Sequence, residues 1–247
     1  MTANQQLQLA GKKYGECAKQ LTSKLANQNE PTAEESELLI AFGIASDWTR
    51  RAAALDIDYS SRLMRKARKT PSVSEMVRFG LAWSGMNAIF SRNSTFDVLG
   101  IAAPRSELDR FKALVGTALS PATQLDNAAT NLQNLLKSPT LSYVPGHPSG
   151  TALAVLQVLH EKYTPAQYRS MATGRLIQQA IATGDYTRLD VPTLIYLMRN
   201  WSVHGGVLSS SFRSVPRFNS YIAIVSSSLA LIHVQLAEKF IAAISAP

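Results

Sequence analysis

Ser72-Val73-Ser74-Glu75-Met76-Val77-Arg78-Phe79-Gly80-Leu81-Ala82-Trp83-Ser84-Gly85-Met86-Asn87-Ala88-Ile89-Phe90 carries the periodicity of a helix. Met76, Phe79, Trp83, Met86 and Phe90 recur at intervals of three and four, which sets large apolar side chains along one face. Ser72-x-x-Glu75 has the form of a capping box that would start it. The same pattern extends in both directions. Upstream, Thr32-x-x-Glu35 forms another box, and Leu38, Phe42, Ala45, Ala52, Leu55, Tyr59 and Leu63 follow close to one face until Pro71 stops the run. Downstream, Ser106 and Ser120-Pro121 read as two further starts. Thr151 to Tyr163 is a helical run, and Thr164-Pro165-x-Gln167 opens another that ends near Gly184-Asp185. A helix from about Pro192 stops at Gly205-Gly206. The last begins near Pro216 and carries Phe218, Ile222, Val225, Leu229, Ile232, Leu236 and Phe240 along one stripe.

Alternating segments joined by tight turns are lacking, so strands are not expected. Ser138 to Gly150, with Pro139, Pro145, Gly146 and Pro148, reads as a long irregular loop. The expected fold is all-α: an up-and-down helical bundle with additional peripheral helices. Residues 1–30 are expected as one such peripheral helix, because Lys12, Lys13, Lys19 and Lys24 dilute its apolar face, and residues 31–247 as the main helical domain.

Composition narrows the function classes. The 247 residues are 46% hydrophobic and 17% charged, a globular balance with enough apolar mass for a full core. Lys and Arg number 25 against 17 acids, a net charge of +8 that favours polyanionic partners, nucleic acid before acidic membrane. The best apolar run, Ile222 to Val234, is broken by Ser226-Ser227-Ser228, and no membrane partner is expected. Met1-Thr2-Ala3-Asn4-Gln5-Gln6 lacks the basic start and apolar centre of a signal peptide, so the cytoplasm is the expected compartment. Cys17 is the single cysteine; it cannot make an internal disulfide and is expected to be inert.

Chemistry concentrates at Arg199-Asn200-Trp201-Ser202-Val203-His204-Gly205-Gly206. Asn200 and His204 share a helical face, and Arg199 stands about 140° from His204 around the helix. The two glycines place His204 in the last turn, where the helix dipole favours its protonated form. A fixed cation, a titratable imidazole and an amide at one helix end suit a phosphodiester. Arg199 can grip phosphate oxygens and His204 can move a proton. The bland alternative is a well-capped helix end whose arginine pairs with a core acid.

The other candidates read more modestly. His147 falls in the Pro/Gly loop, His160 reads as a surface or capping residue, and His233 as a packed core histidine. With no paired ligand spacing among them, no metal site and no cofactor are expected. Arg92-Asn93 repeats the start of the motif, but Asp97 stands where the histidine would be, so it reads as a helix end. Arg62, Arg65, Lys66, Arg68 and Lys69 read as a solvated helix end, with an RNA-guiding patch as the sharper alternative.

Arg199-Asn200-x-x-x-His204 resembles the Arg-Asn-x-x-x-His signature of HEPN domains, helical bundles of many prokaryotic ribonucleases, toxins and defence proteins. Leu194-Ile195-Tyr196 before it, Gly205-Gly206 after it and the long apolar helix that follows add to the likeness. Phe79 to Phe90 is similar to the aromatic-rich earlier helix of such families, with Asn87 as its embedded asparagine. The resemblance spans Thr32 to Phe240 as a helix pattern and implies a HEPN-like bundle. It also implies a metal-independent endoribonuclease, of toxin or antiphage type, with a composite Arg/His site at a homodimer interface. Arg199 would steady the phosphate, His204 would act as acid and base, and Asn200 would orient either. Asn87 would line the same cleft. The same likeness admits a non-catalytic RNA-binding or scaffolding subunit, controlled by an antitoxin or a nucleotidyltransferase-like partner.

Overall fold

The computed structural model describes residues 1–26, 30–55, 72–120, 122–140, 150–163, 171–203 and 218–246. The protein is all-α. The helices are α1 (Ala3–Leu25), α2 (Ala33–Ala54), α3 (Ser72–Phe90), α4 (Ser94–Val98), α5 (Glu107–Ala118), α6 (Asp126–Lys137), α7 (Ala152–Tyr163), α8 (Met171–Thr183), α9 (Val191–Val203) and α10 (Phe218–Ser245). The chain divides into two compact units, the first made of residues 1–55, 81–124 and 229–247, the second of 56–80 and 125–228.

In the first unit, α1 and α2 lie against each other along their lengths. Each starts on a complete capping box. Thr32 Oγ1 accepts from the Glu35 amide at 3.2 Å while Glu35 Oε2 accepts from the Thr32 amide at 2.8 Å, and Thr2 and Gln5 do the same for α1. The lysines leave one face of α1 apolar. Leu7, Ala10, Tyr14, Cys17 and Leu21 form a buried face of α1, and the lysines sit off that face. Gly11 lets the backbones approach: a Cβ there would stand 2.6 Å from Arg50 Cγ, and Ser46 Oγ donates to the Gly11 carbonyl at 2.7 Å. The aromatic core of this unit runs from Tyr14 to Phe42, then edge-on to Phe240 at 5.0 Å. A second group joins Trp83, Phe90 and Phe111, with Trp83 and Phe111 edge-on at 5.0 Å. Arg92 and Asn93 do lie at a helix end, between α3 and the short α4.

His233 is fully buried in the same unit. Its Nε2 is 2.9 Å from the Ala82 carbonyl, which can only accept, so that nitrogen carries the proton. Nδ1 is then the acceptor for the Tyr14 hydroxyl at 3.2 Å. Both ring nitrogens are satisfied in the neutral form, and burial lowers the imidazole pKa to about 4 against the weaker opposing effect of the Ala82 bond. Cys17 is also enclosed; burial first, then the nearby Glu16, push its thiol up to about 12, so no thiolate forms near neutral pH.

In the second unit, α7 packs on α6 and α8, and α6 packs on α9, with Leu132, Leu156, Ile177 and Leu194 buried. The ends of the expected 138–150 loop are held together: Pro139–Thr140 (β1) and Gly150–Thr151 (β2) form a short antiparallel ladder, with Pro139 opposite Thr151. Tyr186 Oη donates to Thr151 Oγ1 at 3.3 Å, and the Lys137 ammonium lies 5.3 Å from the Tyr186 ring centre. The start expected at Ser120-Pro121 is delayed by a 3-10 turn, Ala122–Leu125, before α6. Gly184 ends α8 in the left-handed region at φ +70, its amide donating to the Ala180 carbonyl at 2.9 Å.

Helix α10 differs from the sequence expectation. At 28 residues it is long and apolar enough to cross a membrane by length and composition, because the serines interrupt the apolar run too lightly to lower it. Within the protein 67% of its most apolar window is buried, as in a core helix.

Candidate functional site

Helix α9 is fixed at both ends of its buried face. Asp190 opens it: Oδ1 accepts from the Thr193 amide at 2.9 Å and also bonds the Thr193 hydroxyl, while Pro192 occupies the first turn, where amides lack helical partners. Leu194, Leu197, Met198 and Trp201 follow at helical spacing and are buried, with Trp201 0% exposed. Trp201 packs beside Tyr221, ring centres 6.0 Å apart, and Tyr221 Oη donates to the Leu194 carbonyl at 3.0 Å. That buried face leaves Arg199 half-exposed on the opposite flank.

Arg199 and Asn200 are brought together. Adjacent helical residues diverge, but the long arginine folds back, and Nη1 donates to Asn200 Oδ1 at 2.9 Å. The guanidinium carbon also lies 5.4 Å from the Tyr196 ring centre. Ser202 Oγ donates to the Arg199 carbonyl at 3.2 Å, satisfying an acceptor of the last turn. Asn200 is buried, and with Oδ1 engaged its Nδ2 amine is the group it can still offer. His204 lies outside the described residues, as do His147 and the basic positions Arg62, Arg65, Lys66, Arg68 and Lys69.

The Asn87 side chain is exposed. The stripe of large residues misjudged the buried arc. Ala82, Met86 and Ile89 mark its centre, and Gly85 and Ala88 widen it on the side away from Asn87. At 100° per residue Asn87 stands about 130° from that centre. Asn87→Ala is therefore expected to change unfolding free energy by no more than about 0.5 kcal/mol, as exposed substitutions do. Thermal or urea unfolding of the variant checks this, and a loss above 2 kcal/mol would contradict the exposed placement.

His160 is 5% exposed, not a surface residue. Leu153, Leu156, Gln157 and His160 share one face of α7 at spacings of three, one and three, a helical signal that the neighbouring Glu161-Lys162 obscured.

That face borders a cavity of about 390 Å³. Helix α7 supplies Gln157, His160 and Glu161; α8 supplies Thr173, Arg175 and Ile177; α9 supplies Leu197 and Asn200. Gln157, His160, Thr173, Ile177, Leu197 and Asn200 are buried, while Arg175 is exposed. Gln157 Nε2 donates to Glu161 Oε1 at 2.8 Å, and since a carboxylate only accepts, this bond fixes which end of the amide is oxygen. Gln157 Oε1 is buried with no hydrogen-bond partner. Among the described residues, no group of three or more His, Cys, Asp or Glu side chains is placed to hold a metal ion.

Comparison of the chain with protein-family models, with characterised proteins and with solved structures finds no match.

Proposed function

We propose that the protein is a HEPN-type endoribonuclease that cleaves RNA without a metal ion, and that it works as a homodimer. The observation that carries the reading is the Arg199–Asn200 pair, held by a 2.9 Å hydrogen bond on the last turns of α9 beside a cavity that Asn200 helps to line. Arg199 holds the scissile phosphate. The RNA 2′-oxygen attacks phosphorus, the bond to the 5′-oxygen breaks, and one chain leaves with a 2′,3′-cyclic phosphate and the other with a 5′-hydroxyl. His204 supplies the proton transfer, taking the hydroxyl proton and returning one to the leaving oxygen. With Oδ1 bonded to Arg199, Asn200 positions the guanidinium and presents its amine to the phosphate or the imidazole. One chain offers few such groups, and a two-fold interface would pair two Arg199–His204 segments. The net charge of +8 favours a polyanionic substrate.

The test is purified protein with total RNA in excess chelator. New RNA ends carrying 2′,3′-cyclic phosphate are expected. Cleavage abolished by chelator and restored by magnesium ion would overturn the mechanism, and intact RNA under all conditions would overturn the activity.

A further inference from the structure

We infer that the cavity bordered by α7, α8 and α9 is a nucleotide-binding site, seating the base on the 5′ side of the cut, the one whose own 2′-hydroxyl attacks. The assignment to an RNA base rests on the ribonuclease reading; the assignment to a nucleotide rests on the cavity itself.

Two half-used amides border the cavity. Gln157 has given its donor to Glu161, and its buried Oε1 has no partner. Asn200 has given its acceptor to Arg199, which leaves Nδ2 as a donor. Oε1 is covered in the free protein, so a ligand reaches it through a turn of the Gln157 side chain toward the cavity; one that meets both amides must present a donor and an acceptor, as the polar edge of every nucleobase does. Ile177 and Leu197 supply apolar surface for the faces of a flat ring, and about 390 Å³ is within the range of small-ligand sites. The exposed Arg175 stands at the rim with a guanidinium suited to phosphate. Asn200 is shared with the Arg199 pair, so a base held here lies next to the phosphate that Arg199 would grip.

An unpartnered buried oxygen is a cost that the free protein carries and a bound base removes. Stability and binding should therefore separate in Gln157→Leu, which replaces the orphan with a side chain of similar size. Titration calorimetry with the four nucleoside 3′-monophosphates and the four nucleosides is the direct measurement. At least one nucleotide is expected to bind wild type. Gln157→Leu should weaken it by about tenfold, one hydrogen bond's worth, without lowering Tm. Arg175→Ala, with Tm measured alongside, should weaken the nucleotide but not the matching nucleoside. If none of the eight compounds binds, or if neither variant alters binding, the site assignment is wrong.

Two further arms separate this inference from the ribonuclease reading. Nucleotide binding by a protein that never cuts RNA would leave the cavity standing and remove the ribonuclease. RNA cleavage with no nucleotide binding would do the reverse. The bound nucleotide should also compete with RNA in the cleavage assay; binding without competition would mean that the cavity serves free nucleotide, overturning its assignment to the substrate base.

Discussion

His204→Ala is expected to slow RNA cleavage by about 10²–10⁴-fold, the range lost when a positioned general acid–base is removed. Arg199→Lys is expected to cost about 10²–10³-fold, although it keeps the charge. The reason lies in how Arg199 is held. Its guanidinium donates to Asn200 Oδ1 at 2.9 Å and lies 5.4 Å from the Tyr196 ring centre, contacts that hold a planar fork in place as a point charge would not be held. An ammonium at position 199 is a point charge without that fork. It would leave Asn200 less constrained, so the loss should appear mainly in kcat if the pair acts on the transition state. Circular dichroism and gel filtration on both variants check that fold and association survive. Wild-type cleavage by either variant would remove that residue from the mechanism, and wild-type cleavage by both would remove the motif.

How much of this was legible follows from what periodicity records. Helices were legible wherever a cap and a stripe of large residues coincide: Thr32 with Glu35 starts α2, Ser106 starts α5, and Gly184 ends α8. The pattern fails where small residues do the packing. Lys12, Lys13 and Lys19 dilute the apolar pattern of α1, yet Gly11 and Gly15 let it come close to α2. Ala82, Gly85 and Ala88 turned the buried arc of α3 away from Asn87 for the same reason. The candidate site was half legible. Arg199 and Asn200 were readable as a motif, but their mutual hydrogen bond was not, since neighbours on a helix ordinarily diverge. The cavity was illegible because it depends on three helices, and its polar members, Gln157 and His160, resemble surface residues until the buried face of α7 is known.

Acidification should destabilise the protein through His233 well before most carboxylates are protonated. The imidazole is neutral and doubly bonded in the folded state, and burial holds its pKa down to about 4. In the unfolded chain it returns to an ordinary 6.5 or so. Between these values the unfolded chain binds a proton that the folded one refuses, so folding stability falls as pH drops. The contribution is complete above pH 6.5 and is lost progressively toward pH 4. At about 1.4 kcal/mol for each tenfold change in proton affinity, the loss is on the order of 3 kcal/mol. That is a large share of the roughly 5–15 kcal/mol typical of a folded domain. Protonation at Nδ1 would also set an N–H against the Tyr14 hydroxyl, which now donates to that nitrogen, and Tyr14 is itself fully buried with no solvent to turn to. Urea unfolding at pH 7.5, 5.5 and 4.5 measures the slope. His233→Gln supplies the control, since glutamine offers a donor for the Ala82 carbonyl and an acceptor for Tyr14 but does not titrate. The variant should start less stable at pH 7.5 and fall less between pH 7.5 and 4.5. A wild-type curve that is flat over that range, or a variant whose slope matches it, would show that His233 takes up its proton without cost in the folded state.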